Sequence, residues 1–250
     1  MAETVLATHG LRKAFGALVV TRDLDFAVTR GDIHAVIGPN GAGKTTLLAQ
    51  LAGAIRPDRG AIELLGTDVT RLSADARARR GIARSFQVTT LIGEFTAREN
   101  VVLGLLAREG RGFDAWQPVA RRRAEIDEAQ ALLERTGIGA LAMRRAAELS
   151  HGETRVLEIA VALAKRPHVF LLDEPMAGMG QDESRALTVL LESLRGESTI
   201  VLIEHDMAAV ERLADRVTVL VEGSIVASGT FADVRADAGV RAAYLGTHDV

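Results

Sequence analysis

A glycine-rich turn between an apolar run and an amphipathic stretch is the feature that most constrains how this chain can fold. The turn has the sequence GPNGAGKT over residues 38–45. The apolar run IHAVI at residues 33–37 predicts a buried strand before the turn, and TLLAQL at residues 46–51 predicts a helix after it. Strand, glycine-rich turn, lysine, threonine and helix in this order form the phosphate-binding loop called a P-loop.

Each part of this loop has a physical role toward a phosphate group. The glycines let the backbone approach an anion without clashes from a Cβ atom. Successive N–H groups then point toward the phosphates, and the start of the helix adds the positive end of its dipole. We therefore predict that Lys44 reaches the β- and γ-phosphates of a nucleotide and that the Thr45 hydroxyl holds Mg²⁺.

The composition excludes several other classes of protein. The chain has 250 residues, a net charge of −3 and no cysteine. This charge shows no excess of basic residues of the kind that binds nucleic acid. Without cysteine the chain can form neither disulfides nor a zinc site with thiolate ligands. No apolar run approaches the roughly 18 residues of a membrane-spanning helix. The first residues lack the basic and apolar segments of a secretory signal, so we expect none.

The hydrophobic pattern changes twice along the chain. Early strands are predicted at residues 5–8, 24–28, 33–37 and 61–65, followed by a mostly helical stretch from about residue 96 to 164. Strands and helices then alternate at residues 169–172, 181–195, 199–203 and 207–214, before a terminal hairpin of residues 217–221 and 225–227. The alternation predicts an α/β core with a parallel sheet, and the helical middle an inserted lobe.

Two carboxylates follow an apolar run at residues 169–172. They are Asp173 and Glu174. Asp173 can accept the water ligands of Mg²⁺, because a hard cation prefers oxygen donors. Glu174 can accept a proton from an attacking water molecule, which is the role of a general base. The alternative is a strand-end turn with two solvated acids, and the P-loop upstream disfavours it.

The pentapeptide LSHGE at residues 149–153 precedes this run and opens a helix. Ser150 is a candidate N-cap, and Glu153 occupies its capping-box position three residues later. Taken alone, the pentapeptide is also compatible with an ordinary helix start. Its position in the chain, between Gln87 and the two carboxylates, favours a functional interpretation.

In this order the motifs resemble those of the ATP-binding cassette ATPases, the motor subunits of ABC transporters. The resemblance covers nearly the whole chain. It implies a P-loop NTPase core of the RecA-like type, with a mainly parallel sheet, an N-terminal antiparallel β part and an inserted α-helical subdomain. Residues 1–250 would be a single ABC ATPase domain. Its nucleotide-binding α/β core would comprise residues 1–87 and 165–250, and its helical subdomain residues 88–164.

The resemblance also implies roles in nucleotide binding. The family's Walker A motif, extended by one residue, corresponds to Gly38, Pro39, Asn40, Gly41, Ala42, Gly43, Lys44, Thr45 and Thr46. Phe15 matches the aromatic residue that stacks on adenine. Ser150, Gly152 and Glu153 belong to the signature sequence, in which Ser150 and Gly152 face the ATP bound by a second subunit.

Further matches imply the metal ligands and the catalytic groups. Asp173 matches the Walker B aspartate, and Gln87 matches the glutamine that ligates Mg²⁺ together with Thr45 and senses the membrane partner. Glu174 matches the catalytic glutamate, and His205 matches the switch histidine that contacts the γ-phosphate. With Lys44, these last two residues form the implied catalytic set.

Three positions depart from the general family pattern. His151 stands where many members have glycine, while the phosphate-facing Ser150 and Gly152 are retained. Glu153 replaces a common glutamine, as in many importers. Gly180 stands where the family usually has an aspartate or asparagine that couples the two subunits' sites. The last departure puts the strength of that coupling in doubt, and not the fold.

Other stretches are similar to one branch of the family. The sequence GIARSFQ at residues 81–87 and the ending AYLG at residues 243–246 resemble ATPases that power uptake of branched-chain amino acids. The sequence MAGM at residues 176–179 also resembles importers of urea and short amides. Lipopolysaccharide-export ATPases are a third possibility, and a soluble ABC ATPase of cofactor assembly is an alternative of a different class.

The resemblance finally implies cofactors, partners and location. ATP and Mg²⁺ would bind between two ATPase subunits in a homodimer or heterodimer. A groove that includes residues 88–102 would receive integral membrane permease subunits. A periplasmic binding protein would act indirectly, and no nucleic acid partner is expected. The chain would then be cytoplasmic and peripheral on the inner face of the membrane.

Overall fold

The computed structural model describes residues 3–84, 91–108 and 122–241. Its strands in chain order are β1 (Thr4–Phe15), β2 (Leu18–Thr29), β3 (Ile33–Ile37), β4 (Arg59–Leu64), β5 (Thr67–Asp68), β6 (Ile82–Arg84), β7 (Val169–Asp173), β8 (Thr199–Ile203), β9 (Arg216–Val221) and β10 (Ser224–Gly229). Its helices are α1 (Lys44–Ala52), α2 (Ala74–Arg79), α3 (Ala97–Arg108), α4 (Arg123–Arg135), α5 (His151–Ala164), α6 (Gln181–Ser193), α7 (Met207–Leu213), α8 (Phe231–Ala236) and α9 (Ala238–Val240).

The strands form two sheets. One has four antiparallel strands in the order β2-β1-β4-β5, and the other has six strands in the order β10-β9-β3-β8-β7-β6. In the larger sheet β3 pairs in parallel with β8 and β9, and β7 pairs in parallel with β8. The hairpin of β9 and β10 is antiparallel. The predicted α/β fold, with a mainly parallel sheet and an antiparallel N-terminal part, is confirmed.

The apolar runs of the sequence become the centre of the larger sheet. Every residue of β3 and β8 is buried, as is every residue of β7 except Asp173. Strands buried on both faces need continuous apolar runs, because helices cover the two faces of a parallel sheet. The carboxyl ends of these three parallel strands lie at the same edge, which is where α/β sheets place their ligands.

The chain divides into two compact units. Unit 1 comprises Met1–Ile82, His168–Pro175 and Leu191–Val250, and unit 2 comprises Ala83–Pro167 and Met176–Leu190. The larger segment of unit 2 begins and ends within a few residues of the predicted helical subdomain, 88–164. Unit 2 also takes in residues 176–190, which the sequence interpretation had assigned to the core. The assignment of these units as functional subdomains remains a prediction.

Unit 2 has its own helical core. Helix α3 packs against α5 and α4 around buried residues such as Val101, Leu105 and Leu157. Helices α3 and α5 approach each other so closely that a Cβ atom at Gly104 would lie 2.8 Å from the carbonyl oxygen of Val161. The buried side chains of α4, Ala129 and Leu133, are four residues apart, close to the 3.6-residue period of a helix.

The N-terminal hairpin is longer than the sequence predicts. Strands were predicted at residues 5–8 and 24–28, whereas β1 and β2 continue to a tight turn at which Phe15 pairs with Leu18. The extension carries charged side chains and register shifts, which conceal the apolar alternation on which the prediction rested.

No helix within the described ranges is long and apolar enough to cross a membrane.

Candidate functional site

The P-loop joins the carboxyl end of β3 to the start of α1. Gly43 precedes the helix with a φ of 102°, in the left-handed region. Among the described residues no side chain caps this helix start, and its first turn contains no acid. The first N–H groups of α1 are thus available to an anion, and the helix dipole favours negative charge at the same point.

Two glycines are required by close backbone contacts. A Cβ atom at Gly38 would overlap the carbonyl oxygen of Leu220, and one at Gly43 would overlap that of Val20. The loop therefore packs directly on β9 and β2, both in unit 1. This packing explains physically why the sequence needs glycine at these two positions.

Lys44 lies inside the loop that precedes it. The residue is only 6% exposed, and its Nζ donates hydrogen bonds to the carbonyl oxygens of Gly38 at 2.7 Å and Pro39 at 3.0 Å. Burial lowers the pKa of Lys44, while the charges of Glu174 and Asp173 oppose that shift. A partly desolvated ammonium group interacts more strongly with a phosphate than a fully hydrated one does.

Asp173 and Thr45 meet at the same edge of the sheet. The Thr45 hydroxyl lies 3.5 Å from Oδ1 of Asp173, although the two residues are 128 positions apart. A hydroxyl and a carboxylate are the oxygen donors that Mg²⁺ binds alongside substrate phosphates, so the pair fits this ion. No group of three or more His, Cys, Asp or Glu side chains that could hold a metal occurs in the described part of the chain.

Glu174 has a strained backbone and a histidine partner. Its φ is 48°, and its N–H donates to the carbonyl oxygen of Ile203 at 2.9 Å. A non-glycine residue costs about 1–2 kcal/mol in this region, and such strain occurs often at functional sites. The Glu174 carboxylate is hydrogen-bonded to Nε2 of His205 at 2.8 Å, and both side chains are partly exposed.

Phe15 also belongs to unit 1, at the end of β1. Its side chain is 49% exposed, which is unusual for a large apolar ring. The ammonium group of Lys13 lies 5.4 Å from the ring centroid. The ring is therefore open to a ligand and has a cation beside it. That it stacks on adenine remains a prediction.

The signature residues lie in unit 2, at the start of α5. The capping box is confirmed: Ser150 Oγ accepts from the Glu153 N–H at 3.2 Å, and the Glu153 carboxylate accepts from the Ser150 N–H at 2.8 Å. A Cβ atom at Gly152 would lie 2.5 Å from a carboxylate oxygen of Glu183. The contact of Ser150 and Gly152 with a partner's nucleotide remains a prediction.

The segment that follows Glu174 contacts the start of α5 within unit 2. His151 Nε2 lies 3.4 Å from the Ala177 carbonyl oxygen. The Gly180 N–H donates to the carboxylate of Glu183 at 3.1 Å. Among the residues that the structure describes, a Cβ atom at Gly180 would meet only this carboxylate, at 3.8 Å, so these residues leave room for the side chain that the family usually carries there.

One predicted site residue and part of the predicted groove fall outside the described ranges. Gln87 lies there, as do residues 88–90 of the groove and the AYLG ending. Two other described residues make contacts that the sequence interpretation did not predict. Asp58 contacts the segment before Phe15. Arg77, on α2, is buried and donates to the carbonyl oxygens of Gln50 and Leu51 at the end of α1. Both residues lie in polar stretches that match no functional motif, so only their contacts in the folded chain identify them.

The chain also resembles known proteins in sequence. Residues 21–177 match the family described as ABC transporter, and residues 224–250 match the family described as branched-chain amino acid ATP-binding cassette transporter. The chain is 36% identical, over 98% of its own length and 99% of theirs, to the high-affinity branched-chain amino acid transport ATP-binding proteins LivG of Salmonella typhimurium and BraF of Pseudomonas aeruginosa.

Solved structures resemble the chain over nearly its whole length. One is an ATP-binding cassette of an ABC transporter in its ADP conformation, with 28% identity, a TM-score of 0.83 and coverage of 97% of this chain and 99% of that one. A nucleotide-free ATP-binding cassette has 27% identity, a TM-score of 0.82 and coverage of 96% and 98%. The fold is thus shared with ATP-binding cassettes of ABC transporters.

Proposed function

This chain belongs to the ABC transporter family of ATP-binding proteins, and on that premise we propose that it drives an importer of branched-chain or other hydrophobic amino acids. The observation that carries the proposal is the convergence of Lys44, Thr45, Asp173, Glu174 and His205 within one compact unit. The names of the LivG and BraF relatives support the substrate class.

Each converging residue has a chemical task in ATP hydrolysis. The P-loop N–H groups and Lys44 bind the phosphates, and Lys44 and His205 stabilise the charge that develops on the transferring phosphoryl group. Glu174 accepts a proton from water as the water oxygen bonds to the γ-phosphorus. The bond from the γ-phosphorus to its bridging oxygen breaks, and ADP leaves with the electron pair. The hydrogen bond from His205 orients the Glu174 carboxylate.

Asp173, Thr45 and Gln87 are the residues that would hold Mg²⁺. The hydroxyl and carboxylate oxygens of the first two face each other at 3.5 Å, which supports this assignment. When bound, the ion neutralises charge on the β- and γ-phosphate oxygens. The adenine base stacks on Phe15, whose exposed ring lies on the same unit as the P-loop.

We further propose that two ATPase subunits enclose two ATP molecules. Ser150 and Gly152 of each subunit contact the nucleotide on the other, and ATP favours the closed dimer because closure completes the phosphate contacts. Hydrolysis removes those contacts. The dimer binds integral membrane permeases and lies on the cytoplasmic face of the inner membrane, and a periplasmic binding protein delivers the substrate to the permeases.

Two substitutions test the catalytic assignment. Glu174→Gln should lower the steady-state ATPase rate about 100-fold or more, because a general base contributes roughly that much. With MgATP the same variant should elute as a dimer in size-exclusion chromatography. Lys44→Ala should abolish MgATP binding. Glu63→Gln, a change at a surface carboxylate on β4, is the control and should retain the wild-type rate. Near-wild-type turnover by Glu174→Gln would refute the assignment.

The transport role needs a different measurement. The chain should co-purify with integral membrane permeases, and the complex in proteoliposomes should take up leucine only when both ATP and the binding protein are present. Purification as a soluble ATPase without any membrane subunit would contradict the importer role. Turnover of ATP in that case would leave the catalytic assignment standing.

A further inference from the structure

We propose that Asp58 and Lys13 form a clamp that presents the Phe15 ring as a one-sided platform for the nucleotide base. Both are then positioning residues of the ATP site. They act through Phe15 and do not contact the nucleotide or the reacting atoms. The inference rests on the nucleotide site proposed above. It adds two residues that no motif of the sequence identifies.

Asp58 binds the three residues that precede the platform. It lies on the turn between α1 and β4, and its Oδ1 accepts from Lys13 Nζ at 2.8 Å. Its Oδ2 accepts from the Ala14 N–H at 2.8 Å, and its own N–H donates to the Arg12 carbonyl oxygen at 2.8 Å. The hydrogen bonds from Lys13 and Ala14 lower the pKa of Asp58, so the carboxylate stays ionised. One aspartate thereby fixes three consecutive residues of β1.

Lys13 occupies one side of the aromatic ring. Its Nζ lies 5.4 Å from the Phe15 centroid while bonded to Asp58. A cation near a ring face is attracted to the negative charge of the π-system. It also draws electron density from the ring, which favours stacking of an electron-rich purine on the opposite face. The clamp therefore both orients the ring and leaves one face for the base.

The clamp also connects the platform to the phosphate site. Asp58 follows α1, the helix that begins at the P-loop, within the same compact unit. The pairing of Arg59 with Arg12 holds the turn against β1. The spacing between the base platform and the phosphate loop is thus set by a short, hydrogen-bonded stretch of chain. An exposed ion pair with only a surface role would contribute little to stability and nothing to base binding.

A double-mutant cycle distinguishes these two roles. We would measure KM and kcat for MgATP in Phe15→Ala, Asp58→Ala, Lys13→Met and the double variant of Phe15 and Asp58. Phe15→Ala should raise KM about fivefold to tenfold, and each clamp variant about threefold, with kcat within twofold of wild type. If the clamp acts through the ring, the double variant should be no worse than Phe15→Ala alone.

Two further measurements make the test specific. Inhibition by Mg-tripolyphosphate, which has no base, should be unchanged in the clamp variants because the P-loop is intact. Glu192→Ala breaks another surface ion pair of unit 1, to Arg212 at 2.7 Å, and should leave KM for MgATP unchanged. Thermal unfolding of each variant identifies any general loss of stability.

The outcomes separate this inference from the proposed function. Multiplicative effects of the Phe15 and Asp58 substitutions, an unchanged KM in Asp58→Ala, or weaker tripolyphosphate inhibition would each overturn the clamp. An unchanged KM in Phe15→Ala would overturn the platform itself while leaving ATP hydrolysis standing. Undiminished MgATP binding by Lys44→Ala would instead refute the nucleotide site on which the inference rests.

Discussion

His34 should make the stability of this protein depend on pH in a measurable way. It lies on β3, the strand that leads into the P-loop, and is only 1% exposed. Its Nε2 is hydrogen-bonded to Thr218 Oγ1 at 2.8 Å, and its ring lies 4.7 Å from that of Phe26. Nδ1 has no hydrogen-bond partner among the described residues. Burial, with a smaller contribution from the charge of Arg216, lowers the pKa of His34 to about 4.

The size and sign of the effect follow from linkage. In the unfolded chain a histidine has a pKa near 6.5, so the unfolded state binds the proton more tightly than the folded state. The neutral, buried imidazole therefore stabilises the fold fully above pH 6.5 and loses that contribution as the pH falls toward 4. A difference of about 2.5 pKa units corresponds to roughly 3 kcal/mol in total, of which about 2 kcal/mol is lost between pH 7 and pH 5.

Urea unfolding followed by circular dichroism at pH 7, 6 and 5 measures this loss. His34→Leu cannot titrate, so its free energy of unfolding should fall about 2 kcal/mol less than that of the wild type over this range. Carboxylates that titrate in the same interval are common to both proteins and cancel in the comparison. Equal slopes for His34→Leu and wild type would refute the reasoning.

Two further substitutions test the packing around the P-loop helix. Gly38→Ala should abolish MgATP binding and lower the melting temperature, because its Cβ would overlap the Leu220 carbonyl oxygen; normal binding by calorimetry would contradict this close contact. Arg77→Met should lower the free energy of unfolding by about 2–4 kcal/mol, since buried carbonyl oxygens of α1 and of Thr70 lose their donor. A loss below about 1 kcal/mol in urea unfolding would show that the Arg77 hydrogen bonds contribute little.

Features with a local physical cause could be read from the amino-acid sequence. The P-loop needs glycine, lysine and threonine at adjacent positions, and the capping box at Ser150 needs a glutamate three residues later. The central strands β3 and β8 are apolar apart from His34 and Thr199, so their short hydrophobic runs identified them in the sequence. Each of these signals depends on a few neighbouring residues and on the period of one helix or strand.

The contacts that assemble the site depend on the order of strands in the sheet. Glu174 meets His205 across 31 positions, and Thr45 meets Asp173 across 128, because β3, β8 and β7 are neighbours and end at one edge. Family resemblance predicts roles for these residues, but the distances between them come from the parallel pairing of the strands. No short-range pattern in the chain encodes that pairing.

The groups with perturbed or unexpected surroundings are likewise a property of the folded chain. The lowered pKa of His34 arises from burial among strands far apart in sequence, and the Asp58 clamp joins residues 45 positions apart. Desolvation and long-range hydrogen bonds depend on which surfaces come together, and local propensity carries little information about that. The motif thus predicts where phosphate binds, while the contacts of Asp58 with β1, from which the clamp is inferred, exist only in the folded chain.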